Sequence, residues 1–280
     1  MLQDPVSARE ALVERASSLP LGNAAALLRL ARLCESPIAT AAGIALEAAR
    51  DEGFSALLLK LANSAYYASA TRIADLATAV ARLGLRTVAG LAVASPGLRL
   101  LAGANDELAP ARRELHRHAV RVGLAARMLA PSGVDPERAL AAGLLHNLGL
   151  NVIALYEPTV LRAALAEPDA EVSLLGVSHA TLGADLAERW QFPPTLVDAI
   201  REHDAPEPAS ELGALVQVAD LLVRETGCGI EPPRELAPRV CDRARVRLES
   251  ARGFLAPLLQ AQDRMEQRMA AELEALDSLA

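Results

Sequence analysis

Apolar residues return at intervals of three and four along most of the chain, the period of helices that bury one face. Leu27, Leu30, Ala31 and Cys34 set this pattern early. Asp75 is placed to cap a helix over Leu76–Leu83, and Gly84 to stop it. Asp135-Pro136 reads as a cap followed by a first-turn proline, opening a helix that the apolar run carries through Leu150. No alternating run of β-branched residues marks a strand. The pattern predicts an all-α fold.

Breaks in the pattern divide the chain. Residues 1–18 read as an N-terminal extension and 19–110 as an N-terminal helical lobe. A helical core follows over 111–226, then a linker and C-terminal helix over 227–280. Gly, Asn, Asp and Pro mark the junction near Ala102–Pro110, and Gly and Pro crowd Gly227–Pro238. Beyond that linker, Leu248, Leu255, Leu258, Leu259, Met265, Met269, Leu273 and Leu276 form one stripe. It packs either within the chain or on a partner helix, so a homodimer is one expectation.

Composition narrows the function. Of 280 residues 52% are hydrophobic but only 2% aromatic, so the core is built from Leu, Ala, Val and Ile. The formal net charge is −7 and Lys60 is the only lysine. This balance argues against a nucleic-acid grip, and Arg112, Arg113, Arg117 and Arg121 read as a solvated helix face. Cys34, Cys228 and Cys241 lie far apart with no C-x-x-C pair, which fits thiols in a reducing compartment. The first ten residues are polar, and the apolar runs are broken short of the roughly 18 residues of a membrane span. A cytoplasmic protein without a membrane partner is expected.

All five histidines, His116, His118, His146, His179 and His203, fall in the second block. His118 shares the apolar stripe of Leu115, Ala119, Val122, Ala126 and Leu129 and should point inward. His116 falls with Arg112, Arg113 and Arg127 on the polar side. His146-Asn147 lies in a run apolar nearly all round, and Asp220 lies in another, Leu212–Val223. Buried polar groups need partners. Two readings stay open: one His–Asp hydrogen bond, or a metal held by His118, His146 and Asp220, with Asn147 offering only a neutral carbonyl oxygen. His179 stands near a helix start. His203 ends a helix, where it is suited to capping as well as to ligation.

In this order the residues resemble the H…HD…D signature of the HD phosphohydrolase superfamily, and most closely its HDOD branch. Leu144-Leu145-His146-Asn147-Leu148-Gly149 is similar to that branch's L-L-H-D-I-G element. His179 through Trp190-Gln191-Phe192-Pro193 resembles H-x-x-x-G-x-x-L-x-x-x-W-x-L-P, and Ala199–Asp204 resembles A-I-x-x-H-H. Val218-Ala219-Asp220 resembles the last A-D. In the first block, Leu19-Pro20, Leu61–Tyr67 with Asn63-Ser64, and Ala79–Gly84 resemble L-P, L-x-N-S-A-x-Y and A-I-x-x-L-G. The match runs from about Leu19 to Val223.

The resemblance implies an N-terminal helical lobe packed on a degenerate HD-type core. It implies His118, His146, Asn147, His179 and Asp220 as the metal set if a metal is retained, with Glu202 and His203 as further candidates. Asn63 and Ser64 would be structural. Asn147 replaces the aspartate that binds metal in active members, and no G-Y-P follows His203. The expectation is therefore a non-catalytic regulator or scaffold of bacterial signal transduction that binds a signalling protein or a nucleotide. It needs no cofactor, or at most a single divalent Mn, Fe or Zn ion. The alternative is a metal-dependent phosphohydrolase acting on a nucleotide or phosphomonoester.

Overall fold

A computed structural model describes residues 5–18, 24–63, 67, 72–99, 108–167, 170–205 and 208–225. Among these residues there are helices and no strands. Ser64, Leu19-Pro20, the linker and the C-terminal stripe lie outside the described residues. The helices sort into two compact units.

The smaller unit holds α2 (Ala24–Cys34), α3 (Ala41–Ala48), α4 (Glu52–Ala62), α5 (Leu76–Leu83) and α6 (Leu85–Arg99). Its starts are written in short polar side chains. Thr40, Asp51 and Asp75 each accept a backbone N–H three residues on, from Gly43, Phe54 and Thr78. Gly84, at φ 83°, ends α5 as expected, and the chain turns by 103° into α6. The core closes on Phe54, Leu57, Leu58, Val80 and Val88, with Leu27, Leu30, Ala31 and Cys34 buried along α2. Burial pushes the Cys34 thiol up to about 12, so it stays protonated and inert. Asn63 caps α4 and ties its end to Ile73. Its Nδ2 donates to the carbonyls of Leu59 and Ile73, and its Oδ1 accepts from Ile73 N–H at 2.8 Å. The amide thus serves both backbone groups of Ile73.

The larger unit holds α1 (Pro5–Ser17) and α7 (Ala109–Leu129), then α8 (Pro136–Leu145), α9 (Leu148–Tyr156), α10 (Pro158–Ala166) and α11 (Ala170–Leu175), and finally α12 (His179–Arg189), α13 (Pro194–Glu202) and α14 (Glu211–Val223). The expected extension is thus a helix of this unit. Leu12 and Ala16 are buried where α1 packs on α9, α11 and α12. Arg9 pairs with Asp185 and Glu14 with Arg189, while Arg15 lies 4.2 Å above the Tyr156 ring.

The expected helix through Leu150 is in fact two. It breaks at His146-Asn147 because the His146 ring takes the Gly143 carbonyl, which a continuing helix would give to the next turn's N–H. Asn147 leaves the helical region at φ −94°, ψ 25°, and α9 starts after it. By length and composition Pro136–Tyr156 could cross a membrane, but 89% of its apolar window is buried inside the protein.

Two glycine crossings set this geometry. A Cβ on Gly143 would lie 2.6 Å from the Cα of Gly123, so α7 and α8 touch backbone to backbone. A Cβ on Gly149 would collide with the carbonyl of His179, and one on Gly183 would lie 2.7 Å from the Gly149 nitrogen. Helix α9 is therefore pressed against the first turn of α12. Farther on, α12 ends in a Schellman turn, with Phe192 N–H bonded to Ala187 O and Gln191 N–H to Glu188 O. Gln191 occupies its left-handed position at φ 59°.

Two stability effects of opposite sign are expected. Gly149→Ala should lower unfolding free energy by about 3 kcal/mol or more, since backbone must move to admit the methyl. Gln191→Gly should raise it by roughly 0.5 kcal/mol, by removing the left-handed penalty against the added freedom of the unfolded chain. Urea denaturation of the full chain checks both.

Candidate functional site

Each polar residue of the site sits where a helix starts, ends or crosses. His118 projects from the middle of α7 beside the Gly123 crossing. His146 and Asn147 form the α8–α9 break. His179 opens α12, His203 caps α13, and Asp220 lies on the last turn of α14. All six are buried, and none is more than 6% exposed. The ring centroids of His118 and His146 are 5.3 Å apart, those of His146 and His203 5.1 Å, and those of His179 and His203 5.2 Å. The fold brings four of the five histidines into one row.

His116 departs from expectation. The sequence pattern puts it on the polar side of α7, yet it is 1% exposed, and Arg112 is buried as well. Helix α7 packs on α8, α9 and α14, so its buried arc is wider than the single stripe read from the sequence. Arg113 and Arg117 are exposed, and Arg117 and Arg121 both reach Glu114. Glu202 Oε2 accepts from Ser210 N–H at 2.7 Å, at the start of α14.

At one end of the row, His146 Nδ1 donates to the Gly143 carbonyl at 2.6 Å. That bond fixes the tautomer and leaves Nε2 as a buried lone pair without a hydrogen-bond partner. Burial holds the imidazole well below its ordinary range; the nearby Asp220 works against this, and His203 and His118 reinforce it. His118 Nε2 lies 2.9 Å from Asp220 Oδ1, but the ring is not aligned for a hydrogen bond. Asn147 Oδ1 is likewise buried without a hydrogen-bond partner. Asp220 is gripped from the other side by Arg224. Burial would raise its pKa, but Arg224 and then His118 hold it well below the carboxylate range.

At the other end a hydrogen-bonded chain forms. His179 Nδ1 donates to Glu171 Oε1 at 2.9 Å, and His203 Nδ1 donates to the Ile200 carbonyl at 2.7 Å. The two Nε2 atoms then face each other at 3.2 Å. Two lone pairs cannot oppose at that distance, so one Nε2 carries a proton that the other accepts. Burial raises the Glu171 carboxyl, yet the hydrogen bond and charge of His179 outweigh it, and Glu171 ends lowered and ionised. Burial and then His179 push His203 down to about 4. Glu171, 6% exposed, was missed in the sequence because a lone glutamate on a short helix reads as surface.

The donor set offers one ion three ligand atoms. Nitrogen and oxygen atoms of His118, His146 and Asp220 lie within 4.8 Å of one another, the one such group of metal-binding side chains among the described residues. Two neutral imidazoles and a carboxylate suit Zn, Fe or Mn. A second ion would need an anion between it and the first, and Asn147 supplies only an amide oxygen.

An all-α scaffold that gathers histidines from the centre of one helix, a helix break and two helix termini into one buried row, with an aspartate at one end, defines an HD-type core. The HDOD domain model matches residues 23–206, and the chain belongs to the HDOD domain family. An uncharacterized protein of Treponema pallidum (strain Nichols) is 34% identical over 231 residues, 76% of this chain and 43% of that one. The chain spans less than half the length of the curated relatives it matches, which include ribonuclease Y sequences aligned over less than half of this chain. A candidate phosphohydrolase from Shewanella amazonensis SB2B superposes with a TM-score of 0.69 at 25% identity over 98% of both chains. An HDOD domain protein of unknown function from Geobacter sulfurreducens gives 0.71 at 23% identity, over 98% of this chain and 99% of that one.

Buried neutral histidines make acid destabilising. The pKa values of His146 and His203 are lower in the folded than in the unfolded state, whose ordinary value is 6.5. Below 6.5 the unfolded chain therefore binds more protons, and stability falls as pH falls. For His203 the loss runs from 6.5 to about 4, at up to roughly 1.4 kcal/mol per pH unit. Urea unfolding of chelator-treated protein between about pH 7 and 5 should show this decline, shallower in His203→Gln. Stability that stays flat over that interval contradicts the assignment.

Proposed function

We propose that the chain is a non-catalytic regulator or scaffold of bacterial signal transduction that binds a protein partner, with a nucleotide as the other candidate ligand. The observation that carries this reading is Asn147. It stands buried at the pivot of the site, where active HD enzymes carry an aspartate, and it is neutral. A two-ion centre lacks its bridging anion there, and in-line hydrolysis of a phosphoester depends on such charge stabilisation. The burial of the whole row supports the same reading, because a substrate phosphate needs a path to the ion.

The geometry of His118, His146 and Asp220 favours one second reading, a single-ion phosphohydrolase. A bound ion would supply Lewis-acid polarisation. His118, His146 and Asp220 would hold it, and Asn147 would offer its amide oxygen.

Turnover assays on nucleotides and phosphomonoesters with Mn, Fe, Co and Mg separate the two. The regulator reading expects no metal-dependent turnover in the wild type and no difference from His146→Ala. Metal-dependent turnover that His146→Ala abolishes overturns it.

A further inference from the structure

Arg224 lies one helical turn past Asp220 and faces the same carboxylate as the candidate ion. Its Nε donates to Oδ1 at 2.9 Å, and its Nη2 lies 2.8 Å from Oδ2. Both side chains are largely buried, at 15% and 7% exposure. This is the bidentate fork that only arginine makes, between a planar guanidinium and a carboxylate. Asp220 is the one anion of the three-residue donor group, since His118 and His146 bring only imidazoles. Each of its oxygens already has a cationic donor, and Oδ1 is also 2.9 Å from His118 Nε2.

Two consequences follow from electrostatics. A divalent ion at the donor group would meet a carboxylate whose charge is already balanced. It would also sit within a few ångströms of a fixed positive charge, in a buried setting where water screens weakly. Arginine stays protonated at any accessible pH, so the guanidinium leaves only by moving. Its position allows that: Arg224 stands at the C-terminal end of α14, with its side chain 15% exposed against 7% for Asp220.

We propose that Arg224 is a built-in counter-cation that takes the place of the metal's charge on Asp220 and keeps the affinity of the His118–His146–Asp220 group for a divalent ion low. When the guanidinium withdraws, the same three side chains bind one ion. The inference rests on the regulator reading and names what sets metal affinity at that site.

Cobalt(II) is the probe, because histidine ligation changes its ligand-field absorption. Titrations use the untagged full chain, chelator-stripped, as wild type, Arg224→Met and Arg224→Lys. Arg224→Met should bind one cobalt per chain at least tenfold more tightly than wild type, and His118→Ala added to it should abolish that gain. Arg224→Lys, which keeps the charge, should stay within threefold of wild type. Should Arg224→Met fold poorly without metal, cobalt should raise its melting temperature well above any rise in wild type. Equal cobalt affinity and equal thermal shift in wild type and Arg224→Met, whether tight or weak, overturn the proposal. Wild-type hydrolysis would sink the regulator reading and leave the cobalt comparison standing. Equal cobalt affinities without hydrolysis would sink only the role of Arg224.

Discussion

The larger unit depends on backbone-to-backbone contact at glycine. Gly123 against Gly143 lets α7 and α8 approach without a Cβ between them, and Gly149 against Gly183 does the same for α9 and α12. Between these crossings lies the two-residue break that carries His146 and Asn147. Any side chain at the crossings would move α7 and its His118, or α12 and its His179. The polar residues sit in the buried core beside crossings whose residues have no side chains. Close packing transmits small displacements, so the site geometry and the fold's stability are one problem.

That core holds charge sparingly. It has two buried carboxylates in the row, and each is matched by a cation or a proton donor: Asp220 by Arg224, Glu171 by His179. The imidazoles of His146 and His203 are held neutral by burial. Where an active enzyme concentrates negative charge to hold cations, this chain balances it internally.

Much of this was legible in the sequence, for identifiable reasons. Asp75 and Gly84 were readable because capping and left-handed stops are local chemistry. The order His118, His146-Asn147, Asp220 was readable because it resembles a known family pattern. Tertiary context hid the rest. The helix expected through Leu150 broke because a side chain competed for a carbonyl, which no periodicity shows. His116 was assigned to the solvent face because a single stripe was assumed for a helix that packs on three neighbours. Glu171 carried no signal. Arg224 did carry one, a spacing of four from Asp220 on a helix, whose weight appears only once Asp220 is known to be buried. The residues past 225, where a linker and C-terminal helix were expected, lie outside the described part.

The central claim is that this HD-type site can hold no more than one ion, because Asn147 removes the bridging anion. Elemental mass spectrometry of untagged protein, purified without chelator and then dialysed against saturating Mn, Fe or Zn, tests it most directly. The account predicts a ratio between zero and one ion per chain, lost in His118→Ala. A reproducible ratio of two, with both ions lost in His146→Ala, would contradict it.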